Sequence, residues 1–129
     1  MDTEQHRQLL MSISFPPPAK IWSTNERVHH YERAELTREW KGAARLLSAR
    51  YRNLPPGVVQ IWLPFNDKRR RDPHNYCGTV LKAIIDGLVM AGCWPDDTPE
   101  WVGHREPVIY KGRDVIVEVW PKERDVPSR

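Results

Sequence analysis

Cysteine is nearly absent: Cys77 and Cys93 are the only two thiols in 129 residues. Two are too few for a disulfide-stapled scaffold, and without a C-x-x-C pair there is no framework for structural zinc. Both are therefore read as reduced thiols of a cytoplasmic protein, in the host cytoplasm for a virus-encoded copy. Long apolar runs are missing too, and nothing approaches the ~20 residues of a membrane helix. The opening MDTEQHRQLLMSISF carries acids early and lacks the apolar core of a secretory signal. Nor is one sign of charge in large excess, because a formal net charge of +3 assigns no partner by itself. No internal repeat is visible, and the length suits one domain, 1–129, built on a single core.

What is present is material for that core: 40% of the residues are apolar and six are tryptophan, against 29% charged. In residues 9–15, Leu9, Met11, Ile13 and Phe15 alternate with smaller or polar neighbours, which predicts a half-buried strand. Pro16, Pro17 and Pro18 stop it, and residues 19–31 read as a long polar loop. A helix is expected over residues 32–52, with Leu36, Trp40, Ala43, Leu47 and Tyr51 on its buried stripe and Arg38, Lys41, Arg45 and Arg52 largely off it. Pro55, Pro56 and Gly57 end it. In the strand that follows, Val59, Ile61, Leu63 and Phe65 share one face and Trp62 takes the other. A second helix is read over residues 79–92, burying Leu81, Ile84, Ile85 and Leu88 and stopping at Gly92. The last segment reads as a hairpin that turns at residues 111–114, with Val115, Val117 and Val119 on one face and a charged tail after Pro121. The order β-α-β-α-β-β gives an α+β fold, a small mixed sheet packed with two helices.

Chemistry concentrates in the two loops that flank the second helix. Residues 66–79 hold Lys68, Arg69, Arg70, Arg71, Asp72, His74 and Asn75, and residues 93–99 hold Asp96 and Asp97. The arginines suit a phosphate backbone, with Arg38, Lys41 and Arg45 as a second basic stripe; an exposed solvated face is the plainer alternative. Acids beside a phosphate cradle make sense when a cation neutralises them. Carboxylate oxygens with few histidines select Mg²⁺ or Mn²⁺, which activate water and offset charge on a phosphodiester undergoing cleavage. Asp72, Asp96 and Asp97 are the candidate ligands. A helix of about fourteen residues is roughly 20 Å long, so they meet only if a loop folds back or a dimer partner contributes. Each has an ordinary reading as well: Asp72 as a turn residue beside Pro73, Asp96 and Asp97 as turn residues after Trp94 and Pro95. Lys82 either stabilises negative charge in the transition state or forms an exposed pair with Asp86, and His74 is a ligand, a proton shuttle or an idle loop histidine.

The run RRRDPHN followed by LKAIIDGLVMAGCWPDD resembles the RusA-like Holliday junction resolvases. In that family an arginine-rich segment ends in an aspartate, closely followed by a second aspartate and an asparagine. A helix containing K-A-x-x-D-x-L comes next, then A-G and W-x-D-D. Upstream, SFPPPAKIWSTN is similar to the family's strand, proline cluster and asparagine-containing loop, so the resemblance covers nearly the whole chain. It implies a homodimeric, magnesium-dependent endonuclease, a hydrolase of DNA recombination and repair that binds and cuts four-way DNA junctions. By position, Asp72, Lys82, Asp96 and Asp97 take the catalytic places, and Asn75 matches the family asparagine. Two departures stand out. His74 occupies the second aspartate's place and offers a nitrogen donor friendlier to manganese than to magnesium. The stretch YCGTVL lengthens the link from Asn75 to Lys82. A branched-DNA-binding protein without nuclease activity is the alternative that His74 raises.

Overall fold

The computed structural model describes residues 8–122. The tail expected after Pro121 lies, from residue 123 on, outside the described residues, as does the opening of the N-terminal segment. Five strands form one mixed sheet: β1 (Met11–Phe15), β2 (Gly57–Phe65), β3 (Val102–His104), β4 (Val108–Lys111) and β5 (Val115–Pro121). Two helices join them, α1 (His30–Leu47) and α2 (Lys82–Met90), so the architecture is α+β as the pattern predicts.

Alternation sets the core face. Met11, Ile13 and Phe15 of β1 stand in register with Val119, Val117 and Val115 of β5, and Val59 and Ile61 of β2 continue two of these rows. All are buried, whereas Ser12 and Ser14 on the other face of β1 are exposed. Trp40 of α1 meets Phe15 edge-on at a centroid separation of 6.4 Å, which seats the helix over this face.

The final hairpin does not form. β4 pairs in parallel with β2, and β5 pairs antiparallel with the opposite edge of β2, so β2 separates the two strands that were expected to be partners. The physical reason is β2 itself: nine residues long and buried at Val59, Gln60, Ile61, Leu63 and Pro64, it needs partners along both edges. Residues 112–114 cross over its end, spanning two strand spacings of about 4.8 Å each. The edge opposite β5 is shared by β3 and β4, with β3 unforeseen because only three residues carry it. Where Pro107 interrupts that edge, the buried Gln60 side chain donates to the Glu106 carbonyl at 2.9 Å and fills the gap in the ladder. A parallel neighbour requires a crossover, and α2 supplies it between β2 and β3.

α1 stops five residues before residue 52, the expected end. At its end the Ala44 carbonyl accepts from both the Ser48 amide at 3.0 Å and the Ser48 hydroxyl at 2.6 Å, which competes with continuation of the helix. The buried stripe is Leu36, Trp40 and Ala44, while Leu47 is 40% exposed. The expected Ala43 and Leu47 give way to Ala44 because α2 crosses there. A Cβ on Gly87 would collide with the Lys41 carbonyl and come within 2.8 Å of the Ala44 Cβ and 3.1 Å of the Arg45 nitrogen. Gly87→Ala is therefore expected to destabilise the fold by about 1–3 kcal/mol, since backbone cannot rotate out of the way. The ~1 kcal/mol gain in helix propensity offsets only part of that strain. A urea midpoint equal to or above the wild-type value would contradict this reading of the crossing.

Before α2 the chain makes one turn of 3-10 helix (Pro73–Tyr76) and one of π-helix (Cys77–Leu81). The Lys82 amide reaches back to the Cys77 carbonyl, which absorbs the extra length of YCGTVL. Leu81, Ile84, Ile85 and Leu88 are buried as expected. Gly92, at φ +94, ends the helix, and the Cys93 amide closes onto the Leu88 carbonyl at 3.0 Å. Among the described residues no helix is long and apolar enough to cross a membrane.

Candidate nucleic-acid interface

Residues 19–29 form the expected long loop, with His30 and Tyr31 already in α1, and the loop is packed down at several points. Trp22 and Val28 are buried, Trp40 Nε1 donates to the Lys20 carbonyl at 3.0 Å, and the Thr79 hydroxyl donates to the Trp22 carbonyl at 2.7 Å. The Thr24 amide adds a 2.9 Å bond to the Asn75 carbonyl. These bonds hold the segment against the 3-10 and π turns, and between the two lies an open cleft of about 1110 Å³. Lys20, Ser23, Asn25 and Glu26 form one wall; Arg69, Arg70, Arg71, Asp72 and Asn75 form the other, with Phe65 and Tyr76 also in the lining. Residues 19–31, which the sequence left open as either a DNA contact or a segment disordered in isolation, thus supply one side of the cleft.

The arginines are not equivalent. Arg71 grips Asp67 with both nitrogens, Nη1 to Oδ1 at 2.5 Å and Nη2 to Oδ2 at 3.1 Å. Its guanidinium carbon lies 3.8 Å from the Phe65 ring centroid, and the Phe65 ring packs on Tyr76 at 5.9 Å. The Arg71 side chain is only 15% exposed. Phe65, covered in this way, is not free to wedge between unstacked bases. Lys20 is engaged as well, 2.7 Å from Glu26, whose carboxylate raises its pKa through a hydrogen bond. Arg69 and Arg70 are exposed, and among the described residues neither forms an ion pair. They are the cations best placed to meet an anion entering the cleft.

The Arg71 guanidinium, with help from the Arg69 amide, holds the Asp67 carboxyl at about 2, down from its ordinary 3.8. A lowered folded-state pKa means that the pair's contribution is complete above 3.8 and is lost as pH falls through about 2. A carbon-detected NMR titration should put the Asp67 midpoint near 2, and Arg71→Gln should return it toward ~3.9. A wild-type midpoint near the ordinary value would show that the pair does not form in solution.

Asp72 lies on the cleft with Oδ1 accepting from the His74 amide at 3.0 Å, so it caps the 3-10 turn. Among the described residues no protein donor engages its Oδ2. His74 is exposed and is not part of the cleft lining. Lys82 stands 3.6 Å from Asp86, the exposed i,i+4 pair, worth about 0.3–0.5 kcal/mol, and lines no part of this cleft.

Asp96 and Asp97 lie elsewhere. Together with Lys41, Asp86, Met90 and Pro95 they line a shallower groove of about 340 Å³ at the far end of α2. The helical run from Cys77 to Met90 joins the loop of Asp72 to the loop of Asp96 and Asp97, and the two loops line separate clefts. Asp96 accepts from the amide and hydroxyl of Thr98 at 3.0 and 2.7 Å, which lowers its pKa. Arg38, Lys41 and Arg45 do not border the Asp72 cleft; Lys41 faces the acidic groove instead. Among the described residues no three His, Cys, Asp or Glu side chains gather to hold a metal. One chain alone therefore does not furnish the ligand set Asp72, Asp96 and Asp97. No family model and no curated protein matches the chain.

Proposed function

We propose that this protein is a metal-dependent, structure-selective endonuclease that cuts branched DNA, four-way junctions above all, as a symmetric dimer. The observation that carries this reading is the cleft in which Arg69, Arg70, Asp72 and Asn75 stand together opposite Lys20 and Asn25. Two guanidiniums, unpaired among the described residues, suit consecutive phosphates, and a carboxylate in the same cleft suits a cation bound at the same backbone. The resemblance of RRRDPHN and LKAIIDGLVMAGCWPDD to the RusA-like resolvases supports the same chemistry. Asp72 of one copy with Asp96 and Asp97 of a second copy would hold Mg²⁺ or Mn²⁺. The ion would offset the charge that develops on the scissile phosphate. A two-fold axis suits the substrate, since a junction offers two equivalent strands.

A second reading, a branched-DNA-binding protein that does not cut, is favoured by one observation: within one chain Asp72 lies in a different cleft from Asp96 and Asp97. A labelled synthetic four-way junction, incubated with Mg²⁺ or Mn²⁺ at moderate salt, separates the two. Symmetric nicks are expected. Retention in the gel without nicks selects the second reading, and equal affinity for junction and linear duplex rejects both.

A further inference from the structure

We propose that Asp67 and Arg71 form a clasp that positions the phosphate-binding loop, and that Arg71 is withheld from DNA while Arg69 and Arg70 grip it. The DNA part of this inference rests on the proposed function of the cleft; the clasp itself does not.

Four contacts converge on residues 65–71. Arg71 makes its two-pronged bond to Asp67, its guanidinium covers Phe65, its Nη1 lies 3.4 Å from the Arg69 carbonyl, and the Arg69 amide donates to Asp67 Oδ1 at 3.0 Å. The end of β2 is thereby tied to the loop from both sides. Arg71 immediately precedes Asp72, whose carbonyl accepts from the Asn75 amide at 3.0 Å and whose carboxylate caps the turn. Whatever fixes Arg71 fixes the direction in which Asp72 faces the cleft.

Swinging Arg71 out to a phosphate would break two charge-assisted bonds and uncover the Phe65 ring. It would also leave the Asp67 carboxylate facing the phosphate. Asp67 accordingly repels a backbone approaching from the Phe65 side and leaves Arg69 and Arg70 as the landing point. In this scheme Arg71 is a positioning residue, and three adjacent arginines divide into two ligands and one brace.

The test compares wild type with Arg69→Gln, Asp67→Asn, Arg71→Lys and the Asp67→Asn/Arg71→Lys double variant, all as full chains. Junction binding is measured across a salt series, and amide hydrogen exchange over residues 67–76 is measured without DNA. Arg69→Gln should flatten the slope of log K against log salt by about one. Asp67→Asn and Arg71→Lys should each weaken binding about tenfold with the slope unchanged, and the double variant should be no worse than either, since both remove one interaction. Exchange over the loop should rise at least about tenfold in both single variants. Arg71→Lys keeps the charge, so a phosphate ligand at this position would retain its point-charge contact and its share of the salt slope, whereas the two-pronged bond to Asp67 and the cover over Phe65 would be lost. Tighter binding with a steeper slope in Asp67→Asn, beside near-normal Arg71→Lys, would overturn the proposal and make Arg71 a phosphate ligand in reserve. Unchanged exchange in both variants would overturn the clasp whether or not DNA binds. Absence of junction binding by wild type would instead reject the function proposed for the cleft.

Discussion

Asp72→Asn is expected to lower junction nicking by about a thousandfold and to leave junction binding within about threefold of wild type. The amide keeps an oxygen that can accept from the His74 amide, so the turn that Asp72 caps survives. Only the negative charge is removed, and with it the proposed ligand for a divalent ion. Arg69 and Arg70, which carry the affinity in this reading, are untouched. Equal loss of binding and cutting would assign Asp72 a structural role and count against the nuclease. Asp97→Asn should be similarly inactive, although Asp97 lines the groove at the other end of α2.

Their separation makes a complementation experiment decisive. If each metal site takes Asp72 from one copy and Asp97 from the other, a mixed dimer of the two inactive variants contains one intact site and one doubly damaged site. Equal co-expression then restores about a quarter of the wild-type sites, read as single nicks rather than paired resolution. No recovery from two variants that each bind junctions would remove the shared site from the proposal.

The second large effect is on stability. Trp40→Ala should cost about 3–5 kcal/mol, since the side chain is fully buried against Phe15 and nothing on α1 replaces it. Trp40→Phe is more informative. It keeps most of the apolar volume but deletes the bond from Nε1 to the Lys20 carbonyl, leaving that carbonyl without its partner at a cost of about 1–3 kcal/mol. Lys20 begins the wall that faces Arg69 and Asp72, so junction affinity should fall together with the urea midpoint. A Trp40→Phe variant with an unchanged midpoint would show that the bonds from Thr79 to Trp22 and from Thr24 to Asn75 suffice to hold the 19–31 segment.

Local periodicity made much of this molecule legible before its structure. Val59, Ile61 and Leu63 announce β2, and Leu81, Ile84, Ile85 and Leu88 announce the buried side of α2, because each pattern repeats within a few residues. Edges were not legible. Whether residues 108–111 pair with 115–119 or with β2 depends on what β2 requires on both sides, and a turn sequence such as Lys111-Gly112-Arg113-Asp114 does not encode that. The site divides in the same way. Arg69, Arg70, Asp72 and Asn75 share a cleft because they are close in the chain. The wall opposite depends on a bond between Thr79 and Trp22, far apart in sequence, and the distance from Asp72 to Asp96 follows from a helix that keeps both of its ends apart. The loss of Arg71 to Asp67 was within reach, as a carboxylate four residues before an arginine in a loop that must hold its shape.

β5 lies between β1 and β2, yet it is the last strand to be made. On the ribosome, the first two strands therefore wait with open edges until the residues near 115–121 leave the exit tunnel, and no earlier intermediate can complete the hydrophobic layer. A chain cut short of these residues would keep the β1 and β2 edges that β5 covers unpaired, the kind of open edge that invites pairing with another chain.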